Sequence, residues 1–168
     1  MRFLICFFIL CSQWIEPAMA SHEKIIYGYI EKAKLVDNNL VLSAKLDTGA
    51  KSASLNAIHI QEIQEKGESF LTFIVPSKEG DVHFKCKYLG NVSIKMRAGE
   101  HAEHSLFKKA LNRPVVLMQI QLAGKARMIH VNLTNRKRFI YPLLLGREAI
   151  KAFNGIIDPA LKYTQPVE

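Results

Sequence analysis

Short segments with apolar residues at every second position limit the fold of this chain most strongly. Residues 40–46 and 82–88 both alternate between apolar and polar side chains, as a strand with one wet face does. Further strands are predicted at 25–36, 70–75, 92–96, 115–122 and 128–133. Ala123-Gly124-Lys125 is a credible hairpin turn between the last two. Many short strands joined by close turns are typical of a β-barrel or a β-sandwich.

Helical signals are few in this sequence. Residues 58–66 could form one or two helical turns that end at Gly67. Residues 147–153 could form a second short helix, with Asn154-Gly155 as its stop signal. We therefore predict a mainly β fold with one or two short helices.

The first 20 residues have the pattern of a signal peptide. Arg2 precedes a compact apolar run at 3–11, and Ala18-Met19-Ala20 supplies the small residues of a cleavage site. The run is too short to span a bilayer, so we expect no membrane span, although an uncleaved anchor is the alternative. The prediction is a signal peptide at 1–20, one domain at 21–168, and a periplasmic or secreted protein.

The chain carries a formal net charge of +8. Its basic residues are scattered apart from 136–138, and no nucleic-acid-binding motif accompanies them, so no nucleic acid is expected as a partner. An acidic peptide remains a plausible partner for such a surface. Of the cysteines, only Cys86 lies outside the predicted signal peptide, and its place on an alternating strand predicts buried packing.

The stretch Asp47-Thr48-Gly49-Ala50 places an acid at the end of an apolar strand. Gly49 permits a tight turn and a close backbone approach, and Ala50 keeps the turn slim. An ordinary turn is the alternative. A second stretch, 141–150, reads as a buried apolar strand that ends at Gly146 and is followed by a short helix.

Together these two stretches resemble the retropepsin-like aspartic peptidases. Further segments at 99–103, 131–136 and 157–160 resemble one bacterial family of this class, known as ATP-dependent zinc proteases and often found with ATP-grasp glutamate ligases. The resemblance covers nearly the whole mature chain and implies the closed six-stranded barrel of a single retropepsin lobe. It implies a catalytic Asp47, with active-site support from Thr48, Gly49, Ala50 and Gly146.

The zinc and ATP in the family's name have no counterpart in the motifs of this chain. Neither His-Glu-x-x-His nor a P-loop occurs. His101 and His104 lie three apart among acids, where a metal site is conceivable, but solvated histidines are expected on so polar a loop. We predict no metal and no other cofactor. The loop at 98–112 could cover a substrate through Gly99 and Glu103, and its segment between Glu103 and Arg113 is longer and more basic than in the family.

The resemblance also implies a mechanism that needs two carboxylates. The chain has one Asp-Thr-Gly and is too short for a second lobe, so catalysis would require a homodimer with one Asp47 from each subunit. Thr48 would then form hydrogen bonds across the two-fold axis. The leading hypothesis is thus an exported aspartic endopeptidase acting on a peptide or protein. The alternatives are a non-catalytic monomeric peptide-binding module and a metal-dependent peptidase.

Overall fold

The computed structural model describes residues 23–94 and 111–166, and within them the chain is mostly β-strand. The strands are β1 (Ile25–Leu35), β2 (Leu40–Asp47), β3 (Ala53–Asn56), β4 (Ile58–Glu65), β5 (Glu68–Ser77), β6 (Gly80–Ile94), β7 (Leu111–Leu122), β8 (Lys125–Thr134), β9 (Leu143–Gly146) and β10 (Gly155–Lys162). A 3-10 turn at Val36–Asn38 and one α-helix, α1 (Arg147–Ala152), complete the described elements.

Six of these strands close into a barrel. The pairing runs β1–β2–β9–β3–β8–β7 and returns to β1. The end of β1 closes the ring, because Leu35 is paired with Leu40 of β2 on one side and with Ile120 of β7 on the other. The predicted fold class, a closed single-lobe barrel of the retropepsin type, is confirmed.

The barrel interior follows the alternation that the sequence predicts. On β2, Leu42, Ala44 and Leu46 are buried, whereas Val41 and Lys45 are exposed. The other strands of the ring contribute buried aliphatic residues in the same way, among them Leu55, Val116, Val131, Leu143 and Leu145. Because successive side chains point to opposite faces, each strand presents one face to this core and the other outward.

A three-stranded antiparallel extension leaves the barrel through β6. Residues 80–87 of β6 pair with β5, which in turn pairs with β4. Residues 88–94 of β6 pair with β7 of the barrel. β6 changes partners between Lys87 and Tyr88, and its register with β7 then shifts between Tyr88 and Asn91, where Gly90 has a φ of 98°. The two separate strands predicted at 82–88 and 92–96 are therefore one strand as far as Ile94.

The helix predicted at 58–66 is wrong, because this segment is strand β4. It pairs antiparallel with β5 from Ile58 to Glu65. Lys66 and Gly67 both have positive φ, 51° and 81°, which is the backbone of a tight hairpin turn rather than a helix stop. A non-glycine residue in this conformation is uncommon, so the turn was hard to identify from residue types.

The C-terminal elements are held against the first strand. The predicted helix at 147–153 is confirmed as α1, and it is followed by Asn154 in a left-handed conformation with φ 54°. β10 then pairs parallel with β1. The fully buried carboxylate of Glu31 accepts hydrogen bonds from the amides of Gly28 (2.7 Å) and Thr164 (3.0 Å), so a satisfied buried charge fixes the segment after β10.

The expectations for the N-terminus concern residues outside the described part of the chain. Residues 1–22 are not described, so the signal peptide remains a prediction. Within residues 23–94 and 111–166, the one helix is far too short to cross a membrane.

Candidate functional site

Asp47 is the last residue of β2, and the loop after it folds back onto its carboxylate. Asp47 Oδ1 accepts hydrogen bonds from the amides of Gly49 (2.9 Å) and Ala50 (3.3 Å). Asp47 Oδ2 lies 3.9 Å from Lys45 Nζ, and the side chain of Asp47 is 28% exposed. One carboxylate oxygen is therefore oriented by backbone amides, while the group keeps access to solvent.

Gly146 lies directly beside this loop. β9 runs parallel to β2 with Gly146 in register with Asp47. A Cβ atom at position 146 would lie 2.5 Å from Ser52 O and 2.8 Å from the carbonyl carbon of Lys51. Because both contacts are with backbone atoms, only glycine lets β9 approach the loop this closely.

Arg147 braces the same loop, a role that the sequence analysis did not assign. Its amide donates to Ala50 O (2.9 Å), and its Nη1 donates to Thr48 O (3.0 Å) and Gly49 O (3.2 Å). The amide of Glu148 donates to Lys51 O (3.1 Å). The start of α1 therefore holds the Asp47 loop through its carbonyl groups. The sequence feature that could have indicated this role is the position of Arg147 directly after Gly146.

The structure brings together most of the residues predicted for the site. Thr48, Gly49, Ala50 and Gly146 surround Asp47, and Thr48 is exposed, but their roles remain predictions. The predicted cover-loop residues, Gly99 and Glu103, and the two loop histidines, His101 and His104, lie outside the described residues.

A row of directly paired residues crosses the outer face of the barrel beside Asp47. The register partners are Lys45 with Leu144, Leu144 with Ser54, Ser54 with Asn132, and Asn132 with Val115. Directly paired residues share a face of the sheet, and Asp47 shares that face because it lies two residues beyond Lys45. The sequence analysis did not recognise this row, because its members come from five strands.

Polar atoms are concentrated in the middle of this row. Asn132 is buried; its Nδ2 donates to Ala53 O and to Ser52 Oγ (3.2 Å), and its Oδ1 accepts from Arg113 Nη1 (3.3 Å). Ser54 is also buried, and its Oγ has no hydrogen-bond partner within the described parts of the chain. Asn132 therefore connects Ser52, in the loop after Asp47, to Arg113 through hydrogen bonds.

A second arginine, Arg136, lies beside this polar patch and is only 6% exposed. Its amide donates to Asn56 Oδ1 (2.6 Å), its Nε donates to Tyr141 O (3.2 Å), and its guanidinium lies 4.3 Å from the Phe139 ring centroid. Burial lowers the pKa of Arg136, the charge of Arg113 lowers it further, and the charge of Asp47 opposes this effect. The charges of Arg113 and Asp47 therefore both act on the Arg136 guanidinium, in opposite directions.

The described residues contain neither a reactive cysteine nor a metal-binding cluster. Cys86 is buried, as predicted, and burial followed by the charge of Asp37 raises the pKa of its thiol to about 12. A thiol with such a pKa is not an activated nucleophile. Residues 23–94 and 111–166 contain no group of three or more histidine, cysteine or acidic residues able to hold a metal ion.

The class of protein is defined by the fold and by the placement of one acid. A single closed barrel whose strand-end aspartate sits in a tight loop beside an apolar strand ending in glycine is a single-lobe retropepsin-like architecture. The model of the RimB-like family, described as retropepsin-like aspartic endopeptidase RimB, matches residues 26–168. The chain belongs to this family, which confirms the resemblance found in the sequence.

Relatives of known name or structure extend this comparison. The chain is 30% identical over 123 residues to a probable alpha-L-glutamate ligase of Shewanella pealeana, and 31% identical over 125 residues to one of Desulfotalea psychrophila. These alignments cover 71% and 72% of this chain but 25% of each ligase, so the chain spans about a quarter of their length. A Legionella pneumophila protein of unknown function has a crystal structure that matches with a TM-score of 0.72 and 55% identity, covering 84% of this chain and 98% of that one.

Proposed function

We propose that this protein is an aspartic endopeptidase that hydrolyses peptide bonds with a water activated by two Asp47 carboxylates. The observation that carries the proposal is the Asp47 carboxylate itself. It is partly exposed at a strand end, and the amides of Gly49 and Ala50 orient its Oδ1. Membership of the RimB-like family supports the same chemistry.

The reaction needs one proton shared between the two carboxylates. Two carboxylates about 3 Å apart cannot both ionise, so one is charged and the other is protonated. The charged carboxylate takes a proton from the water, which attacks the scissile carbonyl carbon. The protonated carboxylate donates to the developing oxyanion, and a proton then passes to the leaving amine.

The second carboxylate would come from a second copy of this chain. The sequence has one Asp-Thr-Gly, and the described residues form one barrel lobe. In a two-fold arrangement, the exposed Thr48 would lie close to the axis and could form hydrogen bonds with its counterpart. The proposed active species is therefore a homodimer.

We propose an acidic peptide or protein segment as the substrate. The chain carries a net charge of +8, which favours the approach of anionic partners. The curated relatives are named probable alpha-L-glutamate ligases, and they contain a region related to this chain. Their name refers to glutamate, which supports an acidic substrate for this protein.

A non-catalytic peptide-binding module is the second candidate. The ion pair between Lys45 and Asp47 and the two amide contacts to Oδ1 could also stabilise a purely structural turn. The match to a quarter of each ligase is compatible with a domain that binds peptide for a neighbouring enzyme. In this case the protein would be monomeric and would release no cleavage products.

Cleavage of a peptide library tests the proposal. We expect purified mature protein to cut peptides in a library of mixed sequence, detected by mass spectrometry from acidic to neutral pH. A pepstatin-type inhibitor should block the cleavage, and a chelator should leave it unchanged because no metal takes part. Sedimentation velocity at the assay concentration should show a dimer. Inhibition by the chelator alone would support the metal-dependent alternative, and a monomer that cuts nothing would support the binding module.

We also propose that the protein is exported. The motivating features are the apolar run at 3–11 and the small residues Ala18-Met19-Ala20. N-terminal sequencing of periplasmic or secreted material should therefore begin at Ser21. Full-length protein that retains Met1 and fractionates with the cytosol would contradict this prediction.

A further inference from the structure

The loop between β8 and β9 presents two large apolar side chains to solvent. Ile140 is 87% exposed and its neighbour Phe139 is 51% exposed. Tyr141 and Pro142 are half-buried, and the chain then enters the core at Leu143. A single exposed isoleucine is ordinary, whereas two adjacent exposed apolar side chains on one loop indicate a surface that contacts a partner.

Two cations stand directly beside this apolar pair. Lys137 and Arg138 are exposed and immediately precede Phe139, and residues 137–140 are called the tip loop below. No acidic residue occurs in the sequence between Glu103 and Glu148, although lysines and arginines are frequent there. The tip loop therefore combines exposed apolar groups with positive charge, in a stretch of the chain that contains no acid.

Hydrogen bonds fix the backbone around the tip loop. The amide of Phe139 donates to Arg136 O (2.8 Å), and the amide of Lys137 donates to Asn135 Oδ1 (2.9 Å). The buried Arg136 connects the two ends of the loop, because its Nε donates to Tyr141 O (3.2 Å) while its guanidinium lies 4.3 Å from the Phe139 ring centroid. The apolar pair is therefore presented by an ordered turn, which lowers the entropy cost of docking.

We propose that the tip loop docks this protein on an anionic lipid surface. The side chains of Phe139 and Ile140 enter the headgroup region, and the two cations contact lipid phosphates. Charge complementarity favours this occupant, because two copies that met through their tip loops would bring like charges together. An acidic peptide would neutralise the cations but leave the apolar pair in water. The contact is peripheral and needs no peptidase activity.

Vesicle binding by the mature protein, residues 21–168, tests this contact. The first 20 residues are left out because the apolar run at 3–11 could bind lipid by itself. One set of vesicles is pure phosphatidylcholine, and the other contains equal parts of phosphatidylcholine and phosphatidylglycerol. The bound fraction is measured by co-sedimentation at low and at high ionic strength.

We expect the protein to bind the phosphatidylglycerol vesicles at least about tenfold more tightly, and salt should reduce this preference by screening the charges. Lys137→Gln and Arg138→Gln should each weaken binding about fivefold, the effect of one cation at an anionic surface. Ile140→Ser should weaken binding about tenfold, because less apolar area is removed from water.

Two matched controls lie at the other end of β8. Met128→Ser removes an apolar side chain that is 55% exposed, and Lys125→Gln removes an exposed cation. Both positions are roughly 20 Å or more from the tip loop, because a strand rises about 3.3 Å per residue. Each control should therefore change vesicle binding by less than about twofold.

A tryptophan in the tip loop reports insertion directly. The one tryptophan of the sequence, Trp14, precedes residue 21, so Ile140→Trp gives the mature protein a single such fluorophore. Its emission should shift to shorter wavelength on phosphatidylglycerol vesicles, and lipids with brominated acyl chains should quench it. Met128→Trp should show neither effect.

Four results would overturn the lipid contact. These are equal binding to the two vesicle compositions, unchanged binding by Ile140→Ser, a loss with Lys125→Gln as large as that with Lys137→Gln, and no spectral change for Ile140→Trp. Conversion of a dimer into a monomer by Ile140→Ser in lipid-free buffer would also reject it, because the tip loop would then be a contact between copies of the chain. Sedimentation velocity measures this last outcome.

Discussion

Asp47→Asn should abolish peptide cleavage while leaving the barrel folded. The amide cannot take a proton from the attacking water, and it cannot share a proton with the second carboxylate. Loss of a catalytic acid and base should lower kcat/KM by at least a factor of about 10²–10⁴. The fold should survive, because the asparagine oxygen can still accept the hydrogen bonds from Gly49 and Ala50 that bind Asp47 Oδ1.

Asp158→Asn is the matched control for this experiment. Asp158 Oδ1 also accepts an amide hydrogen bond two residues along, from Ala160 at 2.8 Å, but the residue lies on β10. The control should cleave the reference peptide at the wild-type rate. The wild-type rate should also fall on both sides of an optimum pH, because the pair needs one proton and only one. Equal cleavage by the wild type and by Asp47→Asn would reject the aspartic mechanism.

Gly146→Val should be the most destabilising single substitution near the site. The first added carbon would lie 2.5 Å from Ser52 O and 2.8 Å from the carbonyl carbon of Lys51, and backbone atoms cannot move aside as a flexible side chain can. Overpacking of this kind should cost about 3 kcal/mol of unfolding free energy. For a chain of this size, the corresponding fall in Tm is on the order of 10 °C.

Urea denaturation followed by circular dichroism measures the Gly146→Val effect. Gln61→Val is the control, because it introduces the same side chain at an exposed position of the edge strand β4. The control should change the free energy of unfolding by less than about 0.5 kcal/mol. An unchanged midpoint for Gly146→Val would contradict the close contact between β9 and the Asp47 loop.

Local patterns predicted most strands correctly, and the errors have local causes. The alternation at 40–46 identified β2, because one of its faces is buried and the other is wet. Residues 58–66 were misread as a helix, because β4 has little burial to mark its period and its turn uses Lys66 at a positive φ. The strands predicted on either side of Gly90 were separated, because a register shift at a glycine with positive φ looks like a turn in sequence.

The acid of the candidate site could be identified from the sequence, but its surroundings could not. Asp47 stands out because a strand end, a glycine turn and a small residue are consecutive in the chain. The hydrogen bonds of Arg147 with the Asp47 loop, and the polar row that links Ser54 and Asn132 to Arg113, depend on segments distant in sequence. Their register is set by the packing of the whole barrel, which no short stretch encodes.

The order of residues along the chain was enough to predict a mainly β fold with an aspartate at a strand end and an apolar strand ending in Gly146. These features are local, because strand alternation and glycine turns depend on neighbouring residues. The tertiary structure was needed to place Gly146 against the Asp47 loop and to bring Asn132 into contact with both Ser52 and Arg113. Closing the barrel brings these distant segments together, because each strand must pair on both edges while its apolar face fills the core.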